Sequence, residues 1–168
     1  PPLNDGQIDR LLGVAPGRRE EALPGVRVLN HEWDNPAALA RIGRFPRDQL
    51  AAMIPPHLAR FARDVDITIN RRVLDYDRLL IVGPVFPHEV VGFSGGAKYF
   101  FPGVCGAELL NFFHWLGALI TCPKIIGAKD TPVRRLLDAA ADMLSVPHWA
   151  LCMVVHGEEL AGLYFGPT

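Results

Sequence analysis

The order of hydrophobic and polar residues along the chain predicts several short strands. Val65 to Asn70 (VDITIN) alternates between apolar and polar residues, as a strand with one buried face does. Arg78 to Gly83 (RLLIVG) is a continuous apolar run that ends in glycine, which favours a strand covered on both faces. Val26 to Asn30 is also strand-like. The segments WALCMVVH and LAGLYFG, separated by GEE, predict a terminal β-hairpin.

Helices are predicted where apolar residues recur at helical spacing between capping and stop signals. The predicted helical segments are Asn4 to Gly13, Asp34 to Gly43, Arg47 to Ile54, Val104 to Leu119 and Thr131 to Ser145. Nearly every side chain from Val104 to Leu119 is apolar, which indicates a helix buried on all sides.

The alternation of strands with helices favours one α/β domain over residues 1–168, with a layered architecture. We expect a mostly parallel sheet flanked by helices, with the β-hairpin at the end of the chain. Functional loops are then expected at the carboxyl ends of the strands.

Composition and charge narrow the class of protein. The 168 residues are 49% hydrophobic and 21% charged, which is ordinary for a globular domain. The formal net charge is −1 and no run of Lys or Arg occurs, so we expect neither a nucleic-acid partner nor binding to an anionic membrane. The apolar stretch from Leu109 to Pro123 is too short to span a bilayer.

The start of the chain and its cysteines bear on location. PPLNDGQIDR has neither the basic nor the apolar region of a signal peptide. The three cysteines have no CxxC spacing, so we expect a reduced, cytoplasmic setting. Because the chain begins with two prolines and no initiator methionine, we expect it to be a fragment of a longer protein.

The segment Pro87 to Gly103 (PHEVVGFSGGAKYFFPG) concentrates residues that could carry chemistry. His88 lies just beyond a predicted strand, where α/β proteins place ligands. Gly95 and Gly96 permit a positive φ and a close approach of backbone N–H groups to a ligand. Lys98 offers either a phosphate contact or a nucleophilic amine. The spacing matches neither a Walker loop nor GxGxxG, so on these residues alone a plain structural turn is an equal alternative.

Three polar residues interrupt the apolar helix that follows this loop. Glu108, Asn111 and His114 are spaced three apart and therefore form one narrow stripe. A single histidine on an apolar helix is usually a hydrogen-bonded core residue, but neutral imidazole is also a common ligand of nickel, zinc and iron. A stripe that faces the glycine and lysine loop would favour a ligand role for His114.

The loop and the helix together resemble a known family. Pro-His, Gly-Phe-Ser-Gly-Gly-x-Lys and Pro-Gly occur in order, followed by NFFHW, and this is similar to the amino-terminal domain of the lactate racemase family, the nickel-pincer nucleotide enzymes. The intervals from His88 to Lys98 and from Lys98 to His114 match as well. The resemblance covers Ile69 to Trp115 and extends more loosely to NHEWDNPAALARIG upstream.

The resemblance implies a cofactor and residues that would hold it. Lys98 would tether the nickel-pincer nucleotide (nickel pyridinium-3,5-bisthiocarboxylic acid mononucleotide) through a thioamide. Gly95, Gly96 and Ser94 would be further cofactor contacts. His114 would be the protein ligand to nickel, with sulfur, carbon and sulfur donors supplied by the cofactor.

The resemblance also implies a reaction, in which His88 would be one of two acid/base histidines. The hydroxyl proton of a small 2-hydroxy acid is removed as hydride leaves its Cα for the cofactor, and hydride then returns to either face of the planar 2-keto acid. The family's other histidine lies in a Gly-x-His-Arg segment that this sequence does not contain, and its carboxyl-terminal domain is also missing. We therefore expect the site to be completed by remaining segments of a parent protein.

Two other functional classes stay open. Ser94 lies in a Gly-x-Ser-x-Gly pattern with His88 nearby, which is compatible with a serine hydrolase. The usual hydrolase elbow joins a strand directly to a helix, however, and this pattern lies well beyond the strand that ends at Gly83. The second alternative is a non-catalytic nucleotide-binding or regulatory module that retains the loop without the chemistry.

Overall fold

The computed structural model describes residues 2–157 and 159–168 of the chain. It divides into two compact units, residues 1–32 and residues 33–168, which are taken one at a time. Glu158, in the middle of the predicted GEE turn, lies outside the described residues.

The first unit contains two short helices, α1 (Asp5–Leu11) and α2 (Arg19–Ala22). α1 begins in a capping box, because the Asn4 side chain accepts the N–H of Gln7 and the Gln7 side chain accepts the N–H of Asn4. These reciprocal bonds satisfy backbone donors that the first helical turn leaves free. The predicted helix within Asn4 to Gly13 is confirmed.

The predicted strand at Val26 to Asn30 is wrong, because this segment has no regular secondary structure. Its end is fixed by a side chain rather than by a strand partner. The Asn30 side chain accepts the Leu3 N–H at 3.0 Å and donates to the Leu3 carbonyl oxygen at 2.9 Å. Alternation alone does not make a strand when no neighbouring strand is available to complete its hydrogen bonds.

The second unit contains the remaining helices and all the strands of the described residues. They are β1 (Leu39–Phe45), α3 (Arg47–Met53), β2 (Val65–Asn70), β3 (Leu79–Pro84), β4 (Pro87–His88), β5 (Gly92–Phe93), α4 (Ala107–Ile120), α5 (Pro132–Ala141), β6 (His148–His156) and β7 (Glu159–Pro167). A 3-10 turn at Gly96–Tyr99 carries Lys98. The helices predicted near α3, α4 and α5, the strands near β2 and β3, and the terminal hairpin of β6 and β7 are confirmed.

The mixed α/β class is confirmed, but the prediction of a mostly parallel sheet is wrong. Among the described residues, β1 pairs with β2 and β4 with β5 in two antiparallel pairs, and the third sheet has the order β3-β6-β7. In that sheet β3 is parallel to β6, whereas β7 is antiparallel to β6. Parallel strands need a long crossover, which α4 and α5 supply between β3 and β6, while the tight turn after β6 makes β7 antiparallel.

The predicted helix at Asp34 to Gly43 is also wrong. The Asn35 side chain does cap a helical turn, but only the single 3-10 turn at Pro36–Ala38, and β1 follows directly. Pairing with β2 places Phe45 opposite Val65, and both side chains are fully buried. This burial outweighs the local helical preference of the segment.

The prediction that β3 is covered on both faces is wrong. Ile81 is buried, but the neighbouring Leu80 and Val82 are 59% and 55% exposed. The register carries this exposed face across the sheet to Leu163 and Phe165 of β7, which are also exposed. The three-stranded sheet therefore packs one face on the core and leaves the other apolar and accessible.

The prediction that the helix after the loop is buried on all sides is wrong as well. On α4, Phe113 and Leu116 are fully buried, whereas Asn111, His114 and Trp115 lie on an exposed face. Buried side chains of β2, α4 and α5 share one hydrophobic core, which fixes both helices beneath the loop. None of the described helices is long and apolar enough to cross a membrane.

Candidate functional site

The loop that carries the predicted site residues is folded into short elements with fixed positions. β4 and β5 form a two-residue antiparallel pair in which His88 lies opposite Gly92. The 3-10 turn at Gly96–Tyr99 follows, and α5 packs against it. His88 and Lys98 are therefore held on neighbouring structured elements.

Ser94 fastens this loop to the end of β3. Its side chain is nearly buried, and its hydroxyl donates to the Pro84 carbonyl oxygen at 3.0 Å and accepts the Phe86 N–H at 2.9 Å. A nucleophilic serine needs an accessible oxygen and a base that takes its proton, whereas this proton is donated to a carbonyl. The geometry disfavours a serine hydrolase, and a contact between Ser94 and a cofactor stays a prediction.

The two consecutive glycines differ in their surroundings. Gly95 has φ 87° and ψ 170°, and a Cβ at this position would lie 2.5 Å from Val85 Cγ2. Gly96 has φ 53°, but a Cβ there would meet no heavy atom within 4 Å. Gly95 is therefore required by the fold, whereas the backbone of Gly96 borders open space that a ligand could fill.

Lys98 presents an amine that is partly buried. No described residue forms a hydrogen bond or an ion pair with it. Burial lowers the pKa of Lys98 below its ordinary value, the Glu89 carboxylate opposes this change, and the positive charge of Arg134 adds to it. A lowered pKa increases the neutral fraction of the amine, which is the nucleophilic form.

The His88 ring is held by a backbone N–H. Val90 donates to His88 Nδ1 at 3.1 Å, so in the neutral ring the proton lies on Nε2. Glu89 Oε2 is 3.7 Å from the same Nδ1. Burial lowers the pKa of His88, and the positive charge of Lys98 lowers it further; Glu89 raises it, and His114 has a smaller lowering effect. The charges of Lys98 and His114 therefore both act on His88.

The ring of His114 is held by a backbone carbonyl oxygen of its own helix, at an exposed position. Its Nδ1 lies 2.9 Å from the Leu110 carbonyl oxygen, so Nδ1–H donates to that oxygen and Nε2 keeps its lone pair. Glu108, in the same polar stripe, pairs instead with Arg63 at 2.6 Å. Within the described residues, no group of three or more His, Cys, Asp or Glu side chains is placed to hold a metal ion.

Two charged residues of this site were not predicted from the sequence. Arg134 of α5 is only 16% exposed and donates from Nη2 to the Phe93 carbonyl oxygen. Glu89 follows His88 directly, and its pKa is lowered by a backbone hydrogen bond and by the charges of His88 and Lys98. The loop motif contains Glu89 but assigns it no role, and Arg134 belongs to a helix outside the motif.

The fold and the site define a mixed α/β domain in which a glycine-rich loop carries His88 and Lys98, and the charges of Lys98 and His114 both act on the His88 ring. The family model of the lactate racemase N-terminal domain matches residues 18–124. The chain therefore belongs to the lactate racemase N-terminal domain family, as the loop motif predicts.

Two solved structures are similar to the chain over nearly its whole length. A structural-genomics protein from Thermotoga maritima is 30% identical, with a TM-score of 0.84 over 98% of this chain and 39% of that one. The lactate racemase apoprotein from Thermoanaerobacterium thermosaccharolyticum is 18% identical, with a TM-score of 0.74 over 99% of this chain and 35% of that one. This chain thus spans well under half the length of either protein. Among curated proteins, none matches the sequence.

Proposed function

We propose that the chain is the cofactor-binding domain of a nickel-pincer-dependent 2-hydroxyacid racemase or epimerase. The observation that supports this best is that His88 and Lys98 lie on neighbouring elements of one loop and that the charges of Lys98 and His114 both act on His88. Membership of the family supports the same function. A small 2-hydroxy acid would be the substrate, remaining segments of a longer protein would complete the site, and the cytoplasm would be its location.

The side chains of Lys98 on the loop and of His114 on α4 fit the nickel-pincer nucleotide. Lys98 would supply the amine for the thioamide tether, since its pKa is lowered and no described residue pairs with it. His114 would bind nickel through Nε2, whose lone pair is left free by the bond from Nδ1–H to Leu110. The accessible backbone of Gly96 would allow a flat ligand to lie against it. When bound, the cofactor supplies the acceptor for the hydride of the substrate Cα.

His88 would handle the proton of the substrate hydroxyl group. In the ring orientation held by Val90, Nε2–H is a donor and can hydrogen-bond to a substrate oxygen. To accept the hydroxyl proton at Nε2, the ring must first change tautomer, so that Nδ1 carries the proton and no longer accepts the hydrogen bond from Val90. Glu89 Oε2, 3.7 Å from Nδ1, would then accept a hydrogen bond from that proton. A pKa lowered by burial keeps the ring neutral near pH 7, as a base must be.

A substrate labelled with deuterium at Cα tests the proposed reaction. The chain, in the full-length protein that carries it, is produced together with the enzymes of cofactor biosynthesis and given the labelled 2-hydroxy acid in ordinary water. We expect the opposite configuration to appear with deuterium retained, because hydride returns to the carbon it left. His88→Asn should abolish interconversion, whereas His57→Asn, at an exposed position outside the loop, should not.

The alternatives predict different results. Washout of deuterium into water would contradict hydride transfer. A protein that carries the cofactor on Lys98 without interconverting any 2-hydroxy acid would support the non-catalytic binding module. Labelling of Ser94 by a fluorophosphonate would support the hydrolase, which the buried hydroxyl of Ser94 disfavours.

A further inference from the structure

Both the backbone and the side chain of Arg134 form hydrogen bonds that hold it beside the loop. At the backbone, its N–H donates to Thr131 Oγ1 at 3.0 Å in the cap of α5. At the guanidinium, Nη2 donates to the Phe93 carbonyl oxygen. Phe93 pairs with Pro87, the residue before His88. The guanidinium is therefore attached to the same short pair of strands that positions the proposed base.

The charge of Arg134 is only partly compensated by its neighbours. Its side chain is 16% exposed, and the nearest carboxylate oxygen among the described residues, Asp138 Oδ1, lies 3.9 Å from Nη1, which is too far for a hydrogen bond. A guanidinium has five N–H donors, and the bond to Phe93 uses one of them. Every fully buried side-chain N or O atom of the described residues has a partner, so the unused donors of Arg134 border accessible space.

Lys98 is a second cation near Arg134. Lys98 is on the 3-10 turn against which α5 packs, and the charge of Arg134 lowers the pKa of both Lys98 and His88. Glu89 is the carboxylate that acts on these groups from the loop, and it is 64% exposed. A thioamide on Lys98, as in the proposed function, would remove the lysine charge and leave that of Arg134. A partly buried cation with free donors is stabilised when an anion binds it.

We propose that Arg134, held in place by the Phe93 carbonyl of β5, forms a binding site for an oxyanion, supplied by the phosphate of a nucleotide or by the carboxylate of a 2-hydroxy acid. The site deepens the proposed function and rests on it for the source of the anion. The guanidinium presents planar, forked donors that suit both phosphate and carboxylate oxygens.

Anion binding to the protein without cofactor tests this site. Inorganic phosphate and lactate are titrated separately, and binding is followed by backbone amide NMR shifts at the loop and by the rise in Tm that a ligand of the folded state produces. Arg134→Met should weaken binding of at least one anion about tenfold or more, since a charge-assisted hydrogen bond is lost. The matched control is Arg135→Met on the same helix, because Arg135 is 53% exposed and pairs with Asp130 at 2.8 Å.

If Arg134→Met loses only phosphate binding, the site is assigned to the nucleotide phosphate. If it loses only lactate binding, the site is assigned to the substrate carboxylate. If neither anion binds the unsubstituted protein, or if Arg134→Met and Arg135→Met bind alike, the proposal is overturned and Arg134 only anchors β5. If Arg134→Met does not fold, Arg134→Lys is measured instead, because lysine keeps the positive charge but lacks the paired N–H donors of the guanidinium. It should bind several-fold more weakly, and unchanged binding would overturn the site. None of these measurements needs nickel or a modified Lys98, so the site and the proposed racemase function can fail separately.

Discussion

Gly96→Ala adds one methyl group where the backbone of the loop borders open space. Gly96 has φ 53°, and no heavy atom would lie within 4 Å of the added Cβ. The cost to the fold is then that of the left-handed conformation, about 1–2 kcal/mol. In the proposed site the same methyl group would occupy space that the cofactor needs against the backbone. Loading of the cofactor should therefore fall much more than stability does.

Gly95→Ala is the matched change at the neighbouring residue. The backbone of Gly95, with φ 87° and ψ 170°, lies in a region that is essentially restricted to glycine and costs other residues about 1–3 kcal/mol. The new Cβ would also lie 2.5 Å from Val85 Cγ2, and overpacking of this kind costs about 1–3 kcal/mol. The sum of roughly 2–6 kcal/mol is a large share of the stability of a small domain.

Urea unfolding and intact mass measure the two effects on the same preparations. Gly96→Ala should unfold close to the unsubstituted protein while carrying little adduct on Lys98. Gly95→Ala should unfold at a much lower urea concentration. Full modification of Lys98 in folded Gly96→Ala protein would refute the reasoning, because the open space beside Gly96 would then not be where the cofactor lies.

Changes at Lys98, Ser94 and Thr131 test the charge near His88, the anchoring of the loop and the cap of α5. An NMR titration should give His88 a pKa below the ordinary 6.5, and Lys98→Met should raise it by removing a positive charge. Since folding favours the neutral ring, the contribution of His88 to stability should be fully present above the unfolded-state pKa near 6.5 and be lost as the pH falls below it through the lower pKa of the folded protein. Ser94→Ala should lower the free energy of unfolding by about 1–3 kcal/mol, because it removes the hydrogen bond to the Pro84 carbonyl and leaves the Phe86 N–H without its acceptor. Thr131→Ala should cost about 1 kcal/mol in urea unfolding, through loss of the cap of α5.

Specific results would contradict the predictions for His88, Ser94 and Thr131. A pKa of His88 at or above 6.5 would mean that burial and the charge of Lys98 do not outweigh the effect of the Glu89 carboxylate. A Ser94→Ala protein as stable as the unsubstituted one would show that the hydroxyl does not fasten the loop. A harmless Thr131→Ala would mean that the first turn of α5 is held by packing alone.

Elements with strong local signals could be predicted from the sequence. Thr131 followed by proline marked the start of α5, and the alternation of Val65 to Asn70 gave the bounds of β2. β1 could not be predicted, because Asn35 caps only one 3-10 turn before pairing with β2 takes over. Local sequence does not contain the position of a partner strand, and that position decided the structure here.

The candidate site was predictable to the extent that its chemistry lies in one motif. The resemblance of the loop and helix motifs to the lactate racemase family identified His88, Lys98 and His114 as candidates for one site. It could not identify Arg134, whose contact with the Phe93 carbonyl depends on how α5 packs against the loop. Nor could spacing orient the His88 ring, which is set by a backbone N–H two residues further on.

Peptide mass spectrometry would show whether Lys98 carries the cofactor. The chain is produced with the cofactor-biosynthesis enzymes, alongside a lactate racemase that they are known to load. We predict an adduct mapped to Lys98 and none on the exposed Lys124 and Lys129. Nickel should accompany the adduct and be lost in His114→Ala while the adduct stays. Unmodified Lys98, in a preparation where the reference racemase is loaded, would contradict the proposal that this chain binds the nickel-pincer nucleotide.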